Sequence, residues 1–174
     1  NVLMKTIYKR LILYVAGLFV LALGCSLSIM ANLGVSPVSS LAYSIHLMTP
    51  WSMGLTSIVV FAAYIIIQMI LNRRVDLREA CLQMILSVIF GFFMDATLWI
   101  VAFLPVADAW WLQAAYLFIS LWVISCCLIA YFTAKLPLLP YDALSFATKN
   151  RSDIPFRRAK ISGDVINVLI SAIL

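Results

Sequence analysis

Four stretches of about twenty apolar residues follow one another along this chain, near positions 11–31, 53–72, 81–104 and 110–133. A helix rises 1.5 Å per residue, so about 20 apolar residues cross the roughly 30 Å of bilayer hydrocarbon. In that medium every backbone N–H and C=O must be satisfied inside the segment, which a helix does by itself. The expected fold is therefore all-α, a polytopic transmembrane helix bundle forming a single membrane domain over 1–174. Composition agrees: 65% of the 174 residues are apolar or aromatic and 11% are charged, against about 45–50% and about 25% in soluble domains.

A fifth run opens near 158 and is still apolar at Leu174. From Lys160 onward it extends only about 22 Å, so the sequence is expected to stop inside a span, with room for a sixth helix beyond. The first run follows Lys5 to Arg10 as a secretory signal would. It is longer than the roughly 7–15 apolar residues of a signal core, and more spans follow, so it is read as a retained helix.

The twelve Lys and Arg residues exceed the seven Asp and Glu, yet their positions point away from nucleic acid. Lys5, Lys9 and Arg10 precede the first span; Arg73, Arg74 and Arg78 follow the second; Lys135, Lys149, Arg151, Arg157, Arg158 and Lys160 lie between the fourth and fifth. All fall on one side of the expected topology, while 32–52 and 105–109 contain none. Cytoplasmic loops retain basic residues, so the N-terminus is expected to be cytoplasmic.

Little enzyme chemistry is on offer. Cys25, Cys81, Cys126 and Cys127 sit in or beside apolar runs with no C-x-x-C spacing and read as buried small apolar residues. His46 stands alone, which excludes a multi-histidine metal site. No phosphate loop, dinucleotide fingerprint or nucleophile elbow is present. No enzyme activity, cofactor or metal is expected.

Two segments do not fit as plain loops. Asn32–Thr49 (NLGVSPVSSLAYSIHLMT) and Lys135–Lys149 (KLPLLPYDALSFATK) each begin with a breaker-rich turn and continue as a short apolar stretch. They read as re-entrant or interfacial half-helices over 38–49 and 141–149, tolerable only where buried in protein or lining a wet cavity. Sliding the chain by 103 positions superposes Ala31 on Ala134, Leu33 on Leu136, Pro37 on Pro140, Leu41 on Leu144 and Tyr43 on Phe146. One extra span separates the copies, so repeat 1 (about 11–104) and the incomplete repeat 2 (about 110–174) are expected to be inverted. Inverted repeats with interrupted helices point to a transporter site near the midplane. Pores use the same plan, and duplication of a structural hairpin is the plainer alternative.

The polar residues inside apolar stretches are the site candidates. Asp95 lies in the third span, where a charge costs at least about 2.5–3.5 kcal/mol. Counting back four and eight positions gives Gly91 and Ser87 on the same face. It either exchanges a proton or binds a cation, or makes a structural hydrogen bond. In the fifth run Lys160 and Asp164 read as a juxtamembrane charge pair, or as part of a passage for substrate or protons. Asn167 and Ser171 continue that face, and Gly163 permits close helix contact. Pro140, Tyr141 and Asp142 open the second half-helix, where Asp142 either caps free N–H groups or shapes the site wall. Pro37, Val38 and Ser39 correspond in the first copy, with Ser39 or Ser40 expected to cap. Gly17, Gly24 and Ser28 make a thin packing face, and Trp51, Trp99, Trp110 and Trp111 an exoplasmic aromatic belt.

The stretches NLGVSPVSSLAY, GFFMDATLW, LPLLPYDALSFAT and ISGDVINVL together resemble the YczE/YyaS/YitT-like family of bacterial integral membrane proteins across nearly the whole chain. Pro140, Tyr141, Asp142, Asp95 and Asp164 match its pattern. Val38 and Ser39 replace the aromatic-Asp pair more usual after the first proline, so two symmetric carboxylates are not expected. The resemblance implies a multi-span protein of the bacterial inner membrane and names no substrate. The leading expectation is a secondary transporter of a small solute, proton- or cation-coupled. A channel is the neighbouring alternative, and a non-transporting factor for assembly or biosynthesis the distant one. The expected partners are the lipid bilayer and that solute, with a homodimer left open.

Overall fold

The computed structural model describes the backbone of residues 2–73, 76–106, 108–133, 139–152 and 154–174, and side chains over 9–73, 76–106, 108–129, 139–151 and 154–174. Seven helices form, and no strand occurs among the described residues: α1 (Val2–Ala31), α2 (Pro37–Met48), α3 (Met53–Asn72), α4 (Leu77–Val101), α5 (Trp110–Thr133), α6 (Pro140–Ser152) and α7 (Phe156–Ile173). Ala134, Lys135 and Leu136, used above for the second half-helix and the repeat, lie outside the described residues. Within α1, α3, α4 and α5, the stretches Lys9–Ala31, Met53–Asn72, Leu77–Val101 and Trp110–Ile129 are long and apolar enough to cross a membrane. The protein is a helical membrane bundle.

Local chemistry explains where the helices start and stop. Both short helices open on proline, whose fixed φ and missing N–H suit the first helical position. The Ser52 hydroxyl accepts the Leu55 N–H to cap α3. Asn32 and Arg73 take left-handed φ values of 52° and 50° at the ends of α1 and α3, the common way out of a helix. Asp76 accepts the N–H groups of Arg78 and Glu79, and this cap starts α4 four residues before the expected span. Starts also recur: Pro37 to Pro140 and Met53 to Phe156 are both steps of 103 positions.

Contacts divide the chain into two compact units, each drawing on two separate stretches of the sequence. Unit 1 comprises Asn1–Val35 and Phe93–Leu136, unit 2 Ser36–Phe92 and Pro137–Leu174. In unit 1, α1 packs on α5. A β-carbon on Gly24 would fall 2.6 Å from Ile124 Cγ1, so the thin face of α1 is where α5 approaches. The Cys127 thiol donates to the Gly17 carbonyl, Ser26 and Thr97 share a 2.8 Å hydrogen bond, and Phe19 meets Phe93 edge-on. In unit 2, α2 packs on α3 and α7, and α6 packs on the same two helices. Gly91 of α4 lies so close to α3 that a β-carbon there would fall 2.7 Å from the Gly54 carbonyl oxygen.

Three expectations are corrected. Cys81 and Cys126 are exposed, whereas Cys25 and Cys127 are buried; adjacent helical residues point about 100° apart, so 126 and 127 cannot both face a neighbour. On α4 the buried side is Gln83, Ser87, Phe90, Met94, Thr97 and Val101, a stripe of mean step 3.6. Steps of four drift from it, so Ser87 and Gly91 are buried while Asp95 is exposed. Finally, Ser39 and Ser40 do not cap α2: their hydroxyls donate back to the carbonyls of Ser36 and Pro37. The N-cap residue is Ser36, whose side chain makes no capping bond.

Candidate functional site

Unit 2 builds its polar interior from helix starts and helix middles. Pro37 and Pro140 place the first turns of α2 and α6 in protein, and α3 and α7 supply side chains from their middles. The Tyr64 hydroxyl on α3 donates to Asn167 Oδ1 on α7 at 2.8 Å, and Asn167 Nδ2 donates to the Pro37 carbonyl at 3.3 Å. Asn167 is buried, and a buried amide needs such partners because an unmatched polar group costs about 1–3 kcal/mol. The Ser44 hydroxyl, donating to the Ser171 carbonyl, adds a second tie between α2 and α7.

Neighbouring residues of α6 tie it to α7 twice. Tyr141 donates its phenolic proton to Asp164 Oδ1. Asp142, 4% exposed, accepts from Lys160 Nζ at 2.6 Å. Lys160 also lies 5.6 Å from the centre of the Tyr141 ring, within cation–π range, and the Tyr64 and Tyr141 rings are 5.7 Å apart. The ion pair shown for Lys160 thus crosses between helices to Asp142, and Asp164 is held by a phenol. A carboxylate this buried is stable only while its cation stays in place.

Beside these groups lies a cavity of about 320 Å³. Its lining includes four pairs of residues separated by 103 positions: Leu41 and Leu144, Ala63 and Ile166, Tyr64 and Asn167, Ile67 and Ile170. The hydrogen-bonded Tyr64 and Asn167 are one of these pairs. Tyr141, Ser145, Thr148, Ser162, Ala159 and Gly163 complete its polar and small-residue wall. The hydroxyls of Ser145, Thr148 and Ser162 donate to carbonyls of their own helices and the remaining wall is apolar, so the space suits a small molecule with one hydrogen-bonding end.

Five sequence candidates converge here: Pro37 through its carbonyl, and Tyr141, Asp142, Asp164 and Asn167 through side chains. Pro140 starts the helix that carries two of them. Ser39 is buried on α2, bonded within its own turn. Asp95 belongs to unit 1, on an exposed face of α4. Tyr64 was not among the candidates. A lone tyrosine in an apolar run reads as core, and only its spacing of 103 positions from Asn167 marks it. Among the described residues no group of three or more His, Cys, Asp or Glu side chains could hold a metal ion.

The chain matches a family of unknown function, DUF6198, over residues 8–174 and belongs to it. Neither the curated proteins nor the solved structures give a match.

Proposed function

With membership of that family as the premise, we propose that this protein is a secondary transporter of a small solute and not an enzyme. Its site is the cavity among α2, α3, α6 and α7. The observation that carries the reading is the cavity lining, in which four pairs of residues stand 103 positions apart. The packing of unit 2 is also unchanged in kind when α2 and α3 are exchanged for α6 and α7: each short helix touches both long ones. Both features are what an inverted repeat would give around its pseudo-two-fold axis, the place where transporters of that plan bind their cargo. On this reading Tyr64, Tyr141 and Asn167 orient the solute's polar end, the apolar pairs enclose the rest, and Asp164 or Asp95 serves proton or cation coupling. The resemblance to the YczE/YyaS/YitT-like family and the one-sided basic residues support a bacterial inner membrane with a cytoplasmic N-terminus.

The test is a thermal-shift screen of the purified protein against small solutes at two pH values, repeated with Asn167→Leu and Asp95→Asn. A ligand at about 100 times its dissociation constant adds about 2.7 kcal/mol of stability. The reading expects a solute whose stabilisation disappears in Asn167→Leu, and gradient-driven uptake of that solute into proteoliposomes. Flux too fast for alternating access would make the protein a channel. Binding with no flux, or no hit from a broad panel, would favour an assembly factor.

A further inference from the structure

A second cavity, of about 310 Å³, opens where α3 ends and α4 begins, and nothing in the transport reading uses it. Glu79 is one of its lining residues. One oxygen of that carboxylate, Oε1, accepts from Gln68 Nε2 at 3.3 Å and from Gln83 Nε2 at 3.1 Å. This arrangement fixes the direction of both amides, because turning either one would set its carbonyl oxygen against the carboxylate. The two Oε1 atoms are therefore committed elsewhere, and both are buried with no donor among the described residues. Gln83 is 1% exposed and Gln68 7%. Buried side-chain acceptors nearly always have a partner, and two on residues that line one cavity leave places for a donor that the described residues do not supply.

The lining states what kind of donor fits. Asp76 and Glu79 bring negative charge, and none of the described lining residues is Lys or Arg. Arg73 and Arg78, next in sequence, are exposed. Ile65 and Met69 give the same cavity an apolar wall, which a bare metal ion would not use. Space, acceptors, charge and apolar contact together select a cation that carries both N–H groups and carbon. We propose that this cavity binds a small primary alkylammonium ion, its N–H groups donating to Gln68 Oε1 and Gln83 Oε1 and its charge facing Glu79.

The experiment is calorimetric titration of the purified chain in uncharged detergent, at constant ionic strength, with n-butylammonium, tetramethylammonium and sodium chlorides. Tetramethylammonium keeps the charge and lacks any N–H. The expected result is that butylammonium binds at least about tenfold more tightly than either control. Gln83→Met, which keeps the bulk and removes the acceptor, should weaken it about tenfold or more, the loss of one hydrogen bond to a charged group, and Glu79→Gln, which removes the facing charge, should weaken it by a similar factor. Exposed Glu79 keeps the test available should Gln83→Met not fold. Equal affinity for butylammonium and tetramethylammonium would overturn the proposal, as would preference for sodium. So would unchanged affinity in both variants. Absence of binding to the wild type would overturn it as well.

Discussion

At the scale of single residues, the polar side chains buried where α6 meets α7 come as matched pairs. Lys160 and Asp142 are the pair with most at stake. Lys160→Met leaves a carboxylate that is 4% exposed without its cation, and is expected to destabilise the protein by about 3 kcal/mol. Adding Asp142→Leu should restore most of that loss. Chemical unfolding in detergent of the two single variants and the double one checks this, and equal losses that simply add would refute the pairing. Tyr64→Phe keeps the ring contact with Tyr141 and removes only the bond to Asn167, for an expected cost of about 1–2 kcal/mol by the same measurement. The sequence made Asp142, Asp164 and Asn167 visible because charge and amide are rare in apolar runs. It could not assign their partners, since Tyr141 reaches Asp164 and Lys160 reaches Asp142 across a helix contact that spacing along one helix does not encode.

At the scale of elements, the helices were legible because apolar length and breakers set them, and the half-helices because Pro37 and Pro140 announce their first turns. Which face of each helix is buried was less legible. On α4 every side has enough apolar residues to pass as the inside, so counting back from Asp95 chose a stripe that the packing does not follow. Glycine separates the close helix contacts from the loose ones. Gly91→Ala puts a methyl 2.7 Å from a backbone oxygen of α3, which must move, for an expected cost of about 1–3 kcal/mol. Gly17→Ala meets its nearest neighbour, Cys127 Sγ, at 3.8 Å and should stay within about 0.5 kcal/mol of the wild type. Melting temperatures of the two variants make the comparison, and similar values would mean that α3 and α4 pack less closely at Gly91.

At the scale of the whole molecule, the expected topology puts every basic residue on one side. Single cysteines at Arg78 and Asp108, in a background without Cys25, Cys81, Cys126 and Cys127, should react with an impermeant thiol reagent from opposite faces of the membrane, Arg78→Cys from the cytoplasmic one. Labelling of both from the same face would overturn the arrangement of spans, and labelling of Arg78→Cys from outside would invert it. The bond between Tyr64 and Asn167 has a consequence on the repeat reading. Equivalent positions that touch each other sit where a symmetric pair of separate subunits would have to meet like with like, tyrosine on tyrosine or asparagine on asparagine. A donor facing an acceptor at these positions is therefore open only to two copies free to differ, and closed to a pair of identical subunits.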